Sequence, residues 1–364
     1  MTRFALRGRN AALLLALAAS PLVAAPALQD RSAQEGSAPR AAEEAPRPDP
    51  FLWQIEGLSK DGEPIQAYLF GTVHLPDERV LDLHPEVERA FESSGAFYSE
   101  IETTEAATAE VQRVAQLPGG LRLSSLVGEA LWQRIQRRLE AKKVPPGFTQ
   151  VVDLMEPWAA SALLPQLDYL PAQMKGAISL DETLYRRARA AKKPTTGLET
   201  VAEQIGVFTA FDRTEQVELL REGLDQLERD EAEGKDPVEE TVLAWLSGQE
   251  AKLLDILEQS FQVDAALRRR AEDGLLWERN LRFAERIDAA LRADAGTTAF
   301  IAVGALHMPD PRTGEDGRPS EASTAGEGEE TAAVLRRAGL VTLLRERGYA
   351  VTRVRAPEPA GAQR

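Results

Sequence analysis

The chain has 364 residues, enough for one large domain or two average ones, and its 43% hydrophobic and 28% charged residues exclude fibrous, collagen-like and wholly disordered classes. With no cysteine there is no disulfide framework, thiolate zinc site, iron–sulfur cluster or thiol nucleophile, and His74, His84 and His307 are the only imidazoles. A formal net charge of −15 argues against general binding to nucleic acid or anionic membranes, which needs basic patches.

The first segment reads as an address. Arg3, Arg7 and Arg9 precede an apolar run at 11–17, and Ala25-Pro26-Ala27 supplies a small-residue cleavage site, so 1–27 is expected to be a secretory signal peptide. That expectation places the mature protein in a bacterial periplasm or outside the cell, with no membrane attachment after cleavage. Residues 28–49 mix Pro, Ala, Ser and charge without apolar periodicity and read as a disordered linker. The folded domain is expected over 50–356, followed by a disordered tail at 357–364.

Two β-rich runs, 51–56 and 65–70, flank Asp61-Gly62 and predict a hairpin whose second strand runs into Gly71-Thr72-Val73-His74. Helical spacing over 83–93 puts Val87, Ala90 and Phe91 on one face; His84 sits just before that helix, as a simple N-terminal residue. The run 96–101 predicts a strand ending in Glu100 and Glu102. From about 103 to 293 the pattern is helical, with a short possible strand at 194–198 and an amphipathic helix at 275–293. The apolar run 297–303 predicts a central strand covered on both faces, ending in Gly304-Ala305-Leu306-His307. Residues 309–331, rich in Pro, Gly, Ser and acid, predict a mobile loop; a helix at 333–347 and a strand at 349–354 close the domain. Trp53, Trp158, Trp245 and Trp277 read as core anchors.

Two of the three histidines thus stand three residues after a glycine at the end of a predicted strand. Open α/β sheets bind ligands beyond the carboxyl ends of their strands, and Gly71 and Gly304 allow the sharp turn or close approach that brings each ring inward. Hydrolytic metal sites commonly combine two imidazoles with a carboxylate. His74, His307 and Glu100 are therefore candidate ligands, with Glu102, on the same face by strand alternation, as general base or supporting carboxylate. The same residues also allow a structural hydrogen-bond network or a metal-free general-base pair. No H-E-x-x-H, G-x-S-x-G, Walker A or G-x-G-x-x-G string occurs.

The ordered segments FLWQIEG, YLFGTVHLPDERVLDLHPEVERAFESSGAFYSEIE, LMEPW, SLDETLYRRARAAKKPTTGLETVAEQI, ERNLRFAERI, FIAVGALHMPD and GLVTLLRERGYAVTRV resemble the TraB/GumN family, related to the Tiki metalloproteases, over about 51–356. The resemblance pairs Gly71/His74 with Gly304/His307, matches Glu100 to the family's acidic position, and puts Asp181, Glu199 and Arg279-Asn280 in recurrent segments. Asp181, Glu199 and Arg279 thereby join Glu102 as candidate catalytic residues; helix caps and ion pairs are their plainer reading. It implies an α/β fold in which a central mixed β-sheet is flanked by helices and carries a large helical insertion, as in erythromycin-esterase-like and haem-binding ChaN-like proteins. The implied activity is divalent-metal peptidase chemistry with manganese, cobalt or zinc, on a peptide or small-molecule substrate of unknown identity. A non-catalytic binder of haem, metal or peptide, and a metal-free esterase-like hydrolase, are the alternatives.

Overall fold

The computed structural model of the chain describes residues 47–258, 264–311 and 337–356. The expected signal peptide, most of the linker, most of the acidic loop and the tail lie outside the described residues. β1 (Leu52–Leu58) and β2 (Pro64–Thr72) pair antiparallel from Leu52↔Phe70 to Leu58↔Pro64. Gly62 in the connecting turn has φ +84°, a conformation that side chains with a Cβ disfavour. The other strands form at the expected places with ends moved by a residue or two: β3 (Ala96–Ser99), β4 (Thr195–Gly197), β5 (Ala299–Gly304) and β6 (Ala350–Arg353).

These six strands make one mixed sheet in the order β4-β3-β5-β2-β1-β6. β4, β3, β5 and β2 run parallel to one another, so all four end on the same edge of the sheet. β1 and β6 run antiparallel beyond them. The apolar run of β5 lies at the centre, with Ala299 to Val303 all buried, as a strand covered on both faces requires. Phe300 in that strand meets Phe91 at 5.4 Å, Phe70 at 5.8 Å and Phe97 at 6.3 Å between ring centroids. Close-packed aromatics of this kind resist displacement and so hold the strand ends rigid.

Among the helices, α1 (Pro85–Ser93) buries Val87, Ala90 and Phe91 and is capped by His84, whose Nδ1 accepts the Glu86 N–H at 3.1 Å. α2 (Glu129–Ala141) and a later helix, Arg213–Ala232, close a second apolar cluster through Leu131, Ile135, Leu139, Leu220, Leu224 and Leu227. α3 (Leu180–Ala190) leads into β4, and α4 (Val201–Thr209) leaves it. α5 is that helix Arg213–Ala232, α6 spans Pro237–Leu246 and α7 spans Glu250–Glu258. The helix predicted from residue 275 starts instead as a π-helical segment, Asp273–Trp277, which continues into α8 (Glu278–Ala293). Of the helix expected at 333–347, α9 spans Leu340–Glu346; residues 337–339 are not helical and 333–336 lie outside the described residues.

The stretch 103–293 is helical apart from β4, which returns to the sheet edge and pairs with β3. It therefore contributes to the sheet rather than forming one uninterrupted excursion. Trp53, Trp158 and Trp277 are buried, whereas Trp245 is half-buried and donates its Nε1–H to the Gly71 carbonyl at 2.8 Å. Among the described residues no helix is long and apolar enough to cross a membrane.

Candidate active site

Strand register brings distant residues to one point. Pairing of β2 with β5 sets Thr72 opposite Gly304, and pairing of β3 with β5 sets Ser99 opposite Ala302. His74, Glu100 and His307 follow these ends directly, and all three are buried. His74 Nε2 and His307 Nε2 each stand 3.7 Å from the same atom, Glu100 Oε1. The two G-x-x-H elements and the carboxylate expected from the sequence are thus brought together.

Each imidazole is oriented through its other nitrogen. His74 Nδ1–H donates to Asp181 Oδ2 at 2.6 Å, and the second oxygen of Asp181 accepts the Thr72 hydroxyl at 2.6 Å. Asp181 lies in the first turn of α3, where the helix dipole favours a carboxylate. His307 Nδ1–H donates to Asn280 Oδ1 at 2.6 Å, and Asn280 Nδ2 donates to the Ala338 carbonyl at 2.9 Å, which fixes which end of the amide faces the ring. Both rings are therefore anchored through Nδ1–H, with Nε2 turned towards Glu100.

Arg279 brings a permanent cation into the site and is almost wholly buried. Its Nη2 donates to Glu100 Oε2 and to Glu199 Oε1, each at 2.5 Å, and its Nη1 lies 3.3 Å from His307 Nε2. Gln204 Nε2 donates to both carboxylates at 3.3 Å, and the Gly304 N–H donates to Glu100 Oε1 at 2.7 Å. Burial alone would favour a neutral Glu100, but Arg279 and the two histidines hold its carboxyl well below the usual range. At Glu199 burial outweighs the pull of Arg279 and raises the carboxyl. Burial likewise opposes charge on His74, yet Asp181 and Glu100 overcome it and lift the ring to about 10. Burial and then the Arg279 charge push His307 down to about 3.

The motif glycines are required by close approach rather than by left-handed backbone. A Cβ on Gly304 would sit 3.2 Å from Glu100 Oε1 and 3.6 Å from His74 Nε2; one on Gly71 would sit 3.0 Å from the Ala305 Cα. Glu102 departs from expectation. β3 stops at Ser99, so strand alternation does not extend to residue 102, and Glu102 is exposed and is not among the residues lining the cavity beside Glu100. The sequence assigns no site role to Thr72, Asn280 or Gln204; the resemblance places Asn280 beside Arg279 in a recurrent segment, and nothing in the local pattern marks Thr72 or Gln204.

The donor chemistry fits a divalent ion: two imidazole Nε2 atoms and a carboxylate oxygen, with both Nδ1 atoms held by acceptors, are the groups such ions take. As they stand, no three His, Asp or Glu side chains among the described residues form a metal cluster. Arg279 lies within the same donor set, against His307 and Glu100.

A family model, the TraB/PrgY/gumN family, matches residues 51–314, which include every side chain named at this site. The chain belongs to the TraB/PrgY/gumN family. It is similar to the metalloprotease TIKI2 of Danio rerio, 26% identical across 71% of this chain and 57% of that protein. It is also similar to the human metalloprotease TIKI1, 24% identical across 71% of this chain and 58% of that one. An uncharacterized protein of Treponema pallidum is 23% identical across 67% of this chain and 69% of its own length. The chain thus spans less than three-fifths of the length of these two TIKI relatives. No solved structure matches it.

Proposed function

We propose that this protein is an exported divalent-metal-dependent hydrolase acting on peptides, with His74 Nε2, His307 Nε2 and Glu100 as the groups that hold the ion. The observation that carries the reading is that two imidazole nitrogens from different strand ends face one carboxylate oxygen at 3.7 Å, each ring fixed from behind. The names of the TIKI relatives support the same class of chemistry. The basic, apolar and small-residue pattern of 1–27 supports export.

When bound, a manganese, cobalt or zinc ion supplies a Lewis acid that polarises a carbonyl and acidifies water. The chain's own residues do the rest. Asp181, braced by Thr72, and Asn280, braced by the Ala338 carbonyl, hold the rings so that Nε2 faces inward. The Gly304 N–H and Arg279 fix the two oxygens of Glu100, and Glu199 neutralises the guanidinium from behind. Arg279 also lines the cavity, where its charge favours negative charge developing on a substrate oxygen. Asp181 and Glu199 act through other residues and are positioning groups.

The test is metal content of untagged protein together with cleavage of a peptide library with and without chelator. The parent is expected to bind one divalent ion and to lose turnover on chelation. His74→Ala and His307→Ala should lose both; unchanged binding in either variant would refute the ligand assignment. Arg279 favours a second reading, because a cation already stands 3.3 Å from His307 Nε2. There the histidines act as metal-free bases, and turnover survives chelation.

A further inference from the structure

Besides its polar groups, the site cavity has an aliphatic wall that the chemistry above does not use. Leu253 of α7, Leu275 and Leu276 of the π-helical segment, and Leu306 after β5 line, together with His74, Glu100 and Arg279, a space of about 40 Å³. All four leucines are buried. One water requires roughly 10 to 15 Å³ of such space, so there is room for about three water-sized groups.

We infer that this wall is a specificity pocket and that the substrate carries a compact aliphatic side chain, of valine size, beside the scissile carbonyl. The inference rests on the hydrolytic reading of the same site and adds the class of residue it accepts. A lysine or glutamate side chain would be stripped of water against the leucines, and none of the four wall residues carries a charge to pair with it. An indole would exceed the space and force the packed wall apart. A valine side chain is small enough to enter and buries only carbon against the leucines.

Binding is measured first on chelator-treated protein, so that the pocket is read without turnover. N-acetyl-L-valinamide, N-acetyl-L-lysinamide and N-acetyl-L-tryptophanamide are titrated by methyl nuclear magnetic resonance. Valinamide is expected to bind about tenfold tighter than either competitor, the scale on which an apolar pocket discriminates. Leu276→Ala should improve tryptophanamide binding by about tenfold relative to valinamide, and Leu276→Phe should abolish valinamide binding. Circular dichroism confirms that each variant is folded; if Leu276→Ala fails, Leu276→Phe and the parent titrations still decide. Equal affinities, no valinamide binding to the parent, or indifference to Leu276→Phe would overturn the pocket. Metal-loaded protein is then given peptides varied at one position. Cleavage without an aliphatic preference overturns this inference and leaves hydrolysis standing, whereas ordered binding with no cleavage supports the pocket and refutes the hydrolytic reading.

Discussion

Arg279 shows at a single residue how function and stability share atoms. Its guanidinium separates two buried carboxylates, and removing it leaves both without their main counter-charge. Arg279→Ala is expected to cost about 3 to 5 kcal/mol in urea unfolding, well beyond a surface arginine, because an uncompensated buried charge is left behind. The ring-orienting residues should behave differently. Asp181→Asn keeps the shape but removes the charged acceptor of His74 Nδ1–H, so manganese affinity by calorimetry should fall about 10- to 100-fold with little change in unfolding. Gly304→Ala places a methyl against Glu100 and His74, and should likewise cost more activity than stability.

At the scale of elements, the strand ends place the site and the helices supply its braces. β5 is central to both. Phe300→Ala opens a void among Phe70, Phe91 and Phe97 and should cost about 3 to 5 kcal/mol by chemical denaturation. α5 offers the contrast. Its capping box, in which Asp212 and Glu215 each satisfy the other's backbone N–H, does not line the site cavity, so Asp212→Ala should cost about 1 kcal/mol and leave turnover unchanged. The π-helical segment is not visible in the sequence, since the five residues Asp273–Trp277 are too few for their spacing to distinguish it from an α-helical turn. It matters because it leads directly into Arg279 and Asn280, and its Leu275 carbonyl accepts Arg279 Nη1–H at 3.1 Å.

Over the whole molecule, charge pairs outside the site set the acid limit of the fold. Asp77 is held down at about 2 by Arg79, against the opposing effect of burial and with help from Tyr169; Glu203 is held at about 2 by Arg286 and the Thr200 N–H. Both carboxyls are depressed in the folded state. Their stabilisation is therefore complete above the unfolded value near 4 and is lost as the pH falls towards 2. Each should contribute about 1 kcal/mol after solvent screening. Unfolding free energy should decline between about pH 4.5 and 2, and the decline should shrink in Asp77→Asn and Glu203→Gln. A parent curve that is flat over that interval would contradict the assignment.

What could be read in advance was whatever short-range pattern encodes. Alternation and apolar runs located all six strands, and a glycine three residues before a histidine at two strand ends marked the rings, because those signals span fewer than ten residues. Glu102 shows the limit of the same logic: alternation holds only while the strand lasts, and β3 stops at Ser99. Only the folded chain decided which groups meet. Arg279 reaches Glu100 across 179 residues and Asp181 reaches His74 across 107, partnerships created by parallel register and helix packing rather than by any local pattern. The chemistry of each side chain is written in the chain, but its partner, burial and charge state follow from which strand ends the sheet sets side by side.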